Sequence, residues 1–280
     1  MPYVESGGVR LYYESAGVGE TIIFVHEYAG DYRSWNEQVR YFSRHYRCIT
    51  FNARGYPPSD VPDSESAYGY KQAVADIHSV MSALDIDRAH IVGLSMGGYA
   101  ALNFALEHPD MTMSMVLAAT GHGSDPAMRE KFLKDTQTLA DRMMTLGMAE
   151  AITDYADSPI RKRFREKDPR GFDTFFRNFA EHSPVGSALT AIGYQMKRPS
   201  VYLLKERLAD LNLPALVVIG DDDTPCIPVA LFLKENVPAC QLAVFPHTTH
   251  TVNLEEPELF NRTLEIFFNQ IATDAKAGQA

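Results

Sequence analysis

Predominantly apolar runs alternate along this chain with segments whose apolar residues recur at helical spacing. Residues 21–25 form a run without charged side chains, which is typical of a strand buried on both faces of a parallel sheet. Residues 68–84 instead place Ile77 and Val80 in one apolar stripe, which predicts a helix that buries a single face. Further strands are predicted at residues 47–51, 89–92, 114–119, 213–219 and 241–245.

The N-terminal pattern is different, because residues 3–5 and 9–14 alternate between apolar and polar positions around Gly7 and Gly8. Such alternation on either side of a glycine pair predicts two antiparallel strands. The rest of the chain alternates strands with helices, which predicts an α/β protein with a mainly parallel sheet and helices on both faces. With the two N-terminal strands included, the sheet is expected to have eight strands.

The alternation of strands and helices is interrupted in the middle of the chain. Residues 121–200 carry helical segments, such as 128–146 and 172–181, and no convincing strand. Helices inserted between two strands of such a sheet predict a lid. We therefore expect an α/β core formed by residues 1–120 and 205–280, with residues 121–204 inserted as a helical cap.

Composition and charge narrow the partners and the compartment. The net charge of −10 argues against binding to nucleic acid or to an anionic membrane. Cys48, Cys226 and Cys240 are few and widely spaced, which favours reduced thiols. The first residues lack the basic and apolar regions of a signal peptide, and no apolar run approaches the length of a membrane span. We expect a cytoplasmic protein and leave a homodimer open.

The sequence Gly93-Leu94-Ser95-Met96-Gly97 lies between an apolar run and a helix-forming segment. This is a G-x-S-x-G nucleophile elbow in its strand–turn–helix setting. The turn must aim the Ser95 hydroxyl into a cleft, and the two glycines remove side chains that would collide where strand and helix pass closely. Ser95 is therefore the predicted nucleophile.

A serine hydroxyl needs a base, and the base needs a third group to orient it. The loop after the strand at 213–219 offers Asp221, Asp222 and Asp223. Asp223 has the favoured G-x-x-D spacing, whereas its two neighbours could be turn formers or solvated charges. Asp125, in the loop after the strand at 114–119, is the alternative acid.

The predicted base is His250, which lies in the loop between the last strand and the last helix. The resulting chain order of Ser, acid and His is the one expected for this type of elbow. His247 is closer to the strand and is expected to be only a neighbour. His26 is expected to support the structure rather than to act as a base.

An anion hole completes the predicted site. The backbone N–H groups of Met96, directly after the nucleophile, and of Tyr28, after the strand at 21–25, are expected to converge on an oxyanion. Two oriented donors of this kind stabilise a tetrahedral intermediate by roughly 3 kcal/mol each.

With these motifs in order, the chain resembles an α/β-hydrolase-fold enzyme over residues 1–272. The resemblance is closest to carboxylesterases, lactonases and C–C bond hydrolases with a helical cap. It implies a Ser–His–Asp triad without metal or organic cofactor. A serine at the elbow argues against haloalkane dehalogenases and epoxide hydrolases, which have aspartate there. The motifs are Val25-His26 with Gly30, residues 52–59, residues 93–98, residues 220–223, and His250 followed by Glu255-Glu256-Pro257.

The chain departs from the family pattern at several positions. Asn52 and Pro57 replace Asp and Gly in residues 52–59, here called the arginine loop after Arg54, and Thr249 replaces the Gly before the base. Glu27 stands where the family usually has Gly, beside the predicted anion hole. We expect the Glu27 carboxylate to point into a hydrogen-bond network and to tune the site without taking part in the chemistry.

The resulting expectation is a serine hydrolase that cleaves a small carboxylic ester or lactone. One alternative is a C–C bond hydrolase with the same triad, which would need a basic group to hold a substrate carboxylate. Another is a non-enzymatic binding protein with a relic triad. The basic side chains of the insert are expected to be solvated helix faces; they include Arg161, Arg163, Arg165 and Arg177.

Overall fold

The computed structural model describes residues 2–277, with side chains described through residue 274. Residues 278–280, which end the predicted 205–280 core segment, lie outside the described residues. Eight strands form one sheet in the order β1-β2-β4-β3-β5-β6-β7-β8. The strands are β1 (Tyr3–Ser6), β2 (Val9–Ala16), β3 (Thr21–Val25), β4 (Arg47–Phe51), β5 (Ala89–Leu94), β6 (Thr112–Ala118), β7 (Ala215–Gly220) and β8 (Cys240–Phe245).

The sheet confirms the predicted mainly parallel architecture. β1 pairs with β2, and β2 with β4, in antiparallel fashion, while every pair from β4 to β8 is parallel. Val92 of β5 lies opposite Phe24 on one side and Val116 on the other. All three side chains are buried, because helices cover both faces of the central strands.

Helices of the core pack on the two faces of this sheet. All of α3 from Met96 to Ala105 is buried, which explains its nearly uninterrupted apolar sequence. β8 lies at one edge of the sheet, so only its end residues Cys240 and Phe245 are buried, and Val244 is half-exposed. The core helices are α1 (Asn36–Phe42), α2 (Tyr70–Ala83), α3 (Met96–Glu107), α11 (Ile227–Asn236), α12 (Val252–Glu255) and α13 (Pro257–Ala277).

A second group of helices lies between β6 and β7 along the chain. Its described residues contain no strand. Helix α8 buries Phe172, Phe175 and Phe179 along one face, at the spacing of an amphipathic helix. These helices are α4 (Pro126–Leu146), α5 (Met148–Ala151), α6 (Thr153–Ala156), α7 (Lys162–Lys167), α8 (Pro169–Ala180), α9 (Pro184–Thr190) and α10 (Lys205–Ala209), with a π-helical turn at Ala191–Gln195.

The described helices include none that is both long enough and apolar enough to cross a bilayer.

The arginine loop after β4 tolerates its departure from the family pattern. The Asn52 side chain is buried, accepts from the backbone N–H of Tyr32 at 2.7 Å and donates to the carbonyl of Pro57 at 2.8 Å. The amide thus satisfies both a donor and an acceptor of neighbouring backbone.

Candidate active site

Ser95 occupies a strained turn between β5 and α3. Its φ is +53° and its ψ is −108°, in a region that residues with a Cβ rarely adopt. A Cβ on Gly93 would collide with the carbonyl of Gly97, and a Cβ on Gly97 would collide with the carbonyl of Val25. The glycines therefore allow strand and helix to approach closely enough for the turn to form.

Two hydrogen bonds link the side chains of Ser95, His250 and Asp223. His250 Nε2 lies 2.9 Å from Ser95 Oγ, and His250 Nδ1 lies 2.8 Å from Asp223 Oδ2. Each side chain is at most 7% exposed. Because an ionised carboxylate only accepts hydrogen bonds, the ring carries its proton on Nδ1, which leaves Nε2 to accept from the serine hydroxyl.

The other aspartates considered for the triad, and His247, lie outside this pair of hydrogen bonds. Asp221 accepts from the backbone N–H of Thr248 at 3.2 Å, and the partly exposed Asp222 pairs with Arg163 of the inserted helices. Asp125 caps the N-terminus of α4 by accepting from the backbone N–H of Ala127 at 2.9 Å. The side chain of His247 is exposed. In the described structure, Asp223 is the acid in hydrogen-bond contact with His250.

The loop that carries His250 is held by Glu255, which also explains the fixed step between these two residues. The buried Glu255 carboxylate accepts from the backbone N–H of Thr249 at 2.8 Å and from that of Thr251 at 3.0 Å. These residues lie directly before and after the histidine. Burial raises the pKa of Glu255 above its usual value, while these hydrogen bonds oppose the rise.

The predicted anion-hole residues lie at the edge of the sheet where Ser95 emerges. Met96 is the first residue of α3, a position whose N–H has no partner within the helix. Tyr28 is in the loop after β3, and none of the described groups accepts from its backbone N–H. The Tyr28 hydroxyl donates to the carbonyl of Ser187 in α9 at 2.9 Å, so the loop is tied to the inserted helices. The oxyanion role of both N–H groups stays a prediction.

His26 is buried beneath this loop and has the supporting contacts expected of it. Its Nδ1 lies 2.7 Å from the carbonyl of Glu27, and its Nε2 accepts from the backbone N–H of Ala53 at 3.0 Å. Burial lowers the pKa of His26 to about 4. The neutral ring thus joins the β3 loop to the arginine loop.

The carboxylate of Glu27 forms a buried ion pair with Arg161. Its two oxygens accept from Arg161, at 3.0 Å from Nη1 to Oε1 and 2.5 Å from Nη2 to Oε2. Glu27 is 1% exposed and Arg161 is 0% exposed. The prediction that Arg161 belongs to a solvated helix face is therefore wrong. A sequence pattern could not reveal this, because the partner lies 134 residues away along the chain.

Two residues that sequence reasoning did not select also lie against the triad. The ring of His122 has its centroid 6.3 Å from that of His250, and burial lowers its pKa to about 4. Cys226 Sγ lies 3.9 Å from His250 Nδ1, and burial raises the pKa of its thiol well above the usual value. Both groups are therefore uncharged neighbours of the base at neutral pH.

Asp223, Cys226 and His250 are also the described residues whose ligand atoms are close enough together to hold a metal ion. A zinc ion bonded to both Nδ1 and Oδ2 at about 2.0 Å would hold those atoms about 3.3 Å apart in tetrahedral geometry. The observed 2.8 Å is instead a hydrogen-bond distance. The arrangement fits an imidazole oriented by a carboxylate better than a metal centre.

Comparisons with known proteins agree with the fold. Residues 20–257 match the family model described as the alpha/beta hydrolase fold. The chain is 28% identical over 281 residues to the 2-hydroxy-6-oxo-6-phenylhexa-2,4-dienoate hydrolase of Burkholderia cepacia. This match covers 93% of this chain and 92% of that protein. It is 32% identical over 284 residues to Epoxide hydrolase 1 of Caenorhabditis elegans, over 96% of this chain and 70% of that protein.

Solved structures are likewise similar over almost the whole chain. A structure described as Est816, an N-acyl homoserine lactone degrading enzyme, superposes with a TM-score of 0.78 at 26% identity. That match covers 95% of this chain and 100% of the other. The similar proteins thus include hydrolases of different bonds, so similarity of fold alone does not determine which bond is cleaved.

The buried, neutral His26 predicts a pH-dependent loss of stability. Unfolding restores an ordinary imidazole, so the unfolded chain binds a proton between pH 6.5 and about 4 that the folded chain does not. The contribution of the neutral His26 to the free energy of unfolding is fully present above pH 6.5 and falls as the pH is lowered toward 4. His26→Asn should reduce this slope by up to about 1.4 kcal/mol per pH unit, measured by urea unfolding. His45→Asn, at an exposed site, is the control; an unchanged slope in His26→Asn would contradict the account.

Proposed function

Because the chain belongs to the α/β-hydrolase fold family, we propose that it is a serine hydrolase that cleaves a small carboxylic ester or lactone through an acyl-enzyme. The observation that carries the proposal is the pair of hydrogen bonds at 2.9 and 2.8 Å that links Ser95 to Asp223 through His250. This is the arrangement in which a base activates a serine and an acid orients the base.

The proposed reaction has two halves. His250 Nε2 takes the proton of Ser95 as its oxygen attacks the substrate carbonyl, and the N–H groups of Tyr28 and Met96 bind the oxyanion. The imidazolium then gives its proton to the leaving alkoxide, and Asp223 stabilises the ring while it is charged. Water, activated by the same base, hydrolyses the acyl-enzyme.

We propose ester or lactone cleavage rather than epoxide or C–C bond hydrolysis for two reasons. A serine at the elbow forms an ester intermediate with a carbonyl substrate, whereas the resemblance gives epoxide hydrolases an aspartate there. A C–C hydrolase would need a cationic group to hold a substrate carboxylate. Of the buried arginines in residues 121–204, Arg161 is neutralised by Glu27, and Arg198 donates to the carbonyl of His122 at 2.7 Å and lies over the ring of Tyr99. The C–C reaction therefore stays the second candidate, supported by a relative with that activity in its name.

The inserted helices are proposed to act as a cap that limits the substrate. Residues 121–204 contact the site from above at several points that involve backbone. The carbonyl of Ile160 accepts from the backbone N–H of His250 at 3.3 Å, and the Tyr194 hydroxyl donates to the carbonyl of Met96 at 2.9 Å. Since Ser95 is only 7% exposed beneath them, substrate size and entry depend on these helices.

A fluorophosphonate probe tests the nucleophile. We expect stoichiometric labelling of Ser95, because its hydroxyl is hydrogen-bonded to the base, and Ser95→Ala should lose both labelling and turnover of p-nitrophenyl acetate. Peptide mass spectrometry locates the label. Labelling at another serine, or parent-like turnover in Ser95→Ala, would refute the assignment, whereas a parent protein with neither labelling nor turnover would favour the relic-triad alternative.

The contributions of the acid and the base are measured by steady-state kinetics. Asp223→Asn and His250→Ala should each lower kcat by roughly a thousandfold or more, because the base is misoriented or absent. His247→Ala and Asp125→Asn are matched controls outside the hydrogen-bond chain, and we expect kcat within about threefold of the parent for each. An active Asp223→Asn together with an inactive Asp125→Asn would move the acid to the earlier loop.

A further inference from the structure

We propose that Arg161, a residue of the inserted helices, is a positioning residue for the hydrolysis: with Glu27, it fixes the two loops that carry the oxyanion donor and the base. The inference rests on the proposed function, since it assigns a role within the same site. It implies that the catalytic geometry is complete only while the lid lies on the core.

The guanidinium of Arg161 binds both loops at once. Nη1 donates to Glu27 Oε1 at 3.0 Å and to Thr251 Oγ1, while Nη2 donates to Glu27 Oε2 at 2.5 Å and to the hydroxyl of Tyr155 at 2.9 Å. The rings of Tyr155 and Phe175 both lie with their centroids 5.2 Å from the guanidinium carbon. The cation is thus enclosed and held in one orientation.

The partners of Arg161 are immediate neighbours of the predicted catalytic groups. Glu27 directly precedes Tyr28, and Thr251 directly follows His250. The residue before Arg161 adds a third contact, because the carbonyl of Ile160 accepts from the backbone N–H of His250 at 3.3 Å. Two consecutive residues of the insert therefore fix the backbone on either side of the site.

Burial makes this bridge stiff. Burial alone would raise the pKa of Glu27, but the adjacent guanidinium lowers it below its usual value, so the carboxylate stays ionised. A buried ion pair resists separation because each charge would be left without water or a partner. A lysine could not replace the arginine, since one ammonium cannot present two parallel N–H groups to the carboxylate and also reach Thr251.

An ion pair that only stabilises the fold would make the same contacts. Measuring both thermal stability and kcat in the same variants separates a stabilising role from a positioning role. If the pair only stabilises the fold, removal of both charges should restore stability and activity together. If it positions the loops, removal of both charges should restore stability but not kcat, because the bridge between the Tyr28 loop and the His250 loop is then absent. A displacement of about 1 Å at a catalytic group costs roughly a hundredfold in rate.

The experiment compares Arg161→Met, Arg161→Lys and the double variant Glu27→Gln/Arg161→Met in the full-length protein. Arg161→Met should lower kcat for p-nitrophenyl acetate about a hundredfold with KM within about threefold, and should lower Tm by roughly 10 °C. The double variant should recover most of the Tm and keep the low kcat. Arg161→Lys should retain most of the Tm and lose about tenfold in kcat, because lysine keeps the charge but lacks the two parallel N–H groups of the guanidinium.

Arg165→Met is the matched control, since Arg165 lies on the same segment, pairs with Asp157 and is half-exposed. We expect its kcat and Tm to be those of the parent. Recovery of kcat together with Tm in the double variant, or a parent-like kcat in Arg161→Lys or in folded Arg161→Met, would overturn the proposal. Ser95→Ala keeps the two hypotheses distinct: if it turns over like the parent, the proposed function fails, whatever the Arg161 variants do.

Discussion

His250 lies where three loops meet, and its two hydrogen bonds are the constraint on which the site depends. One imidazole ring must satisfy Ser95 after β5 and Asp223 after β7, while its own loop leaves β8. The parallel order β5-β6-β7-β8 makes this possible, because it brings the carboxyl ends of these strands to one edge of the sheet. The positive φ of Ser95 is the local strain that this arrangement imposes.

Enclosure by the inserted helices changes the electrostatics of every group in the site. Removal of water strengthens charge-assisted hydrogen bonds and makes an unpartnered charge costly. The structure meets this condition by neutralisation. Burial keeps His26 and His122 uncharged, with pKa values of about 4, and the carboxylate of Glu27 is matched by Arg161. The proposed ester or lactone substrate would bring no further charge into this enclosure.

The sequence predicted the sheet well because its signals are local. The continuous apolar run at 21–25 and the glycine-flanked elbow each follow from residues adjacent in the chain, and both lie where expected. The choice of Asp223 over its neighbours likewise came from spacing within one loop. The link between Glu27 and Arg161 could not be predicted, since it joins residues 134 apart and depends on how the insert folds back.

Some of the missed features did leave a trace in the sequence. Glu27 replaces a glycine of the family pattern, which indicates an unusual position but does not indicate that Arg161 is its partner. The fixed step from His250 to Glu255 is visible in the sequence, and its physical reason is that one carboxylate holds the backbone on both sides of the histidine. His122 and Cys226 gave no such signal, because loop residues near a site look like any others in sequence.

The most direct test of the account is to stop turnover of p-nitrophenyl acetate by rapid acid quench and to map covalent acetyl groups by peptide mass spectrometry. Asp223→Asn provides a slowed enzyme in which the intermediate should accumulate. The account predicts an acetyl group on Ser95 that forms and decays at rates consistent with product release. An acetyl group on a different side chain, or product formation with no acetyl-enzyme at any time in the slowed variant, would contradict it.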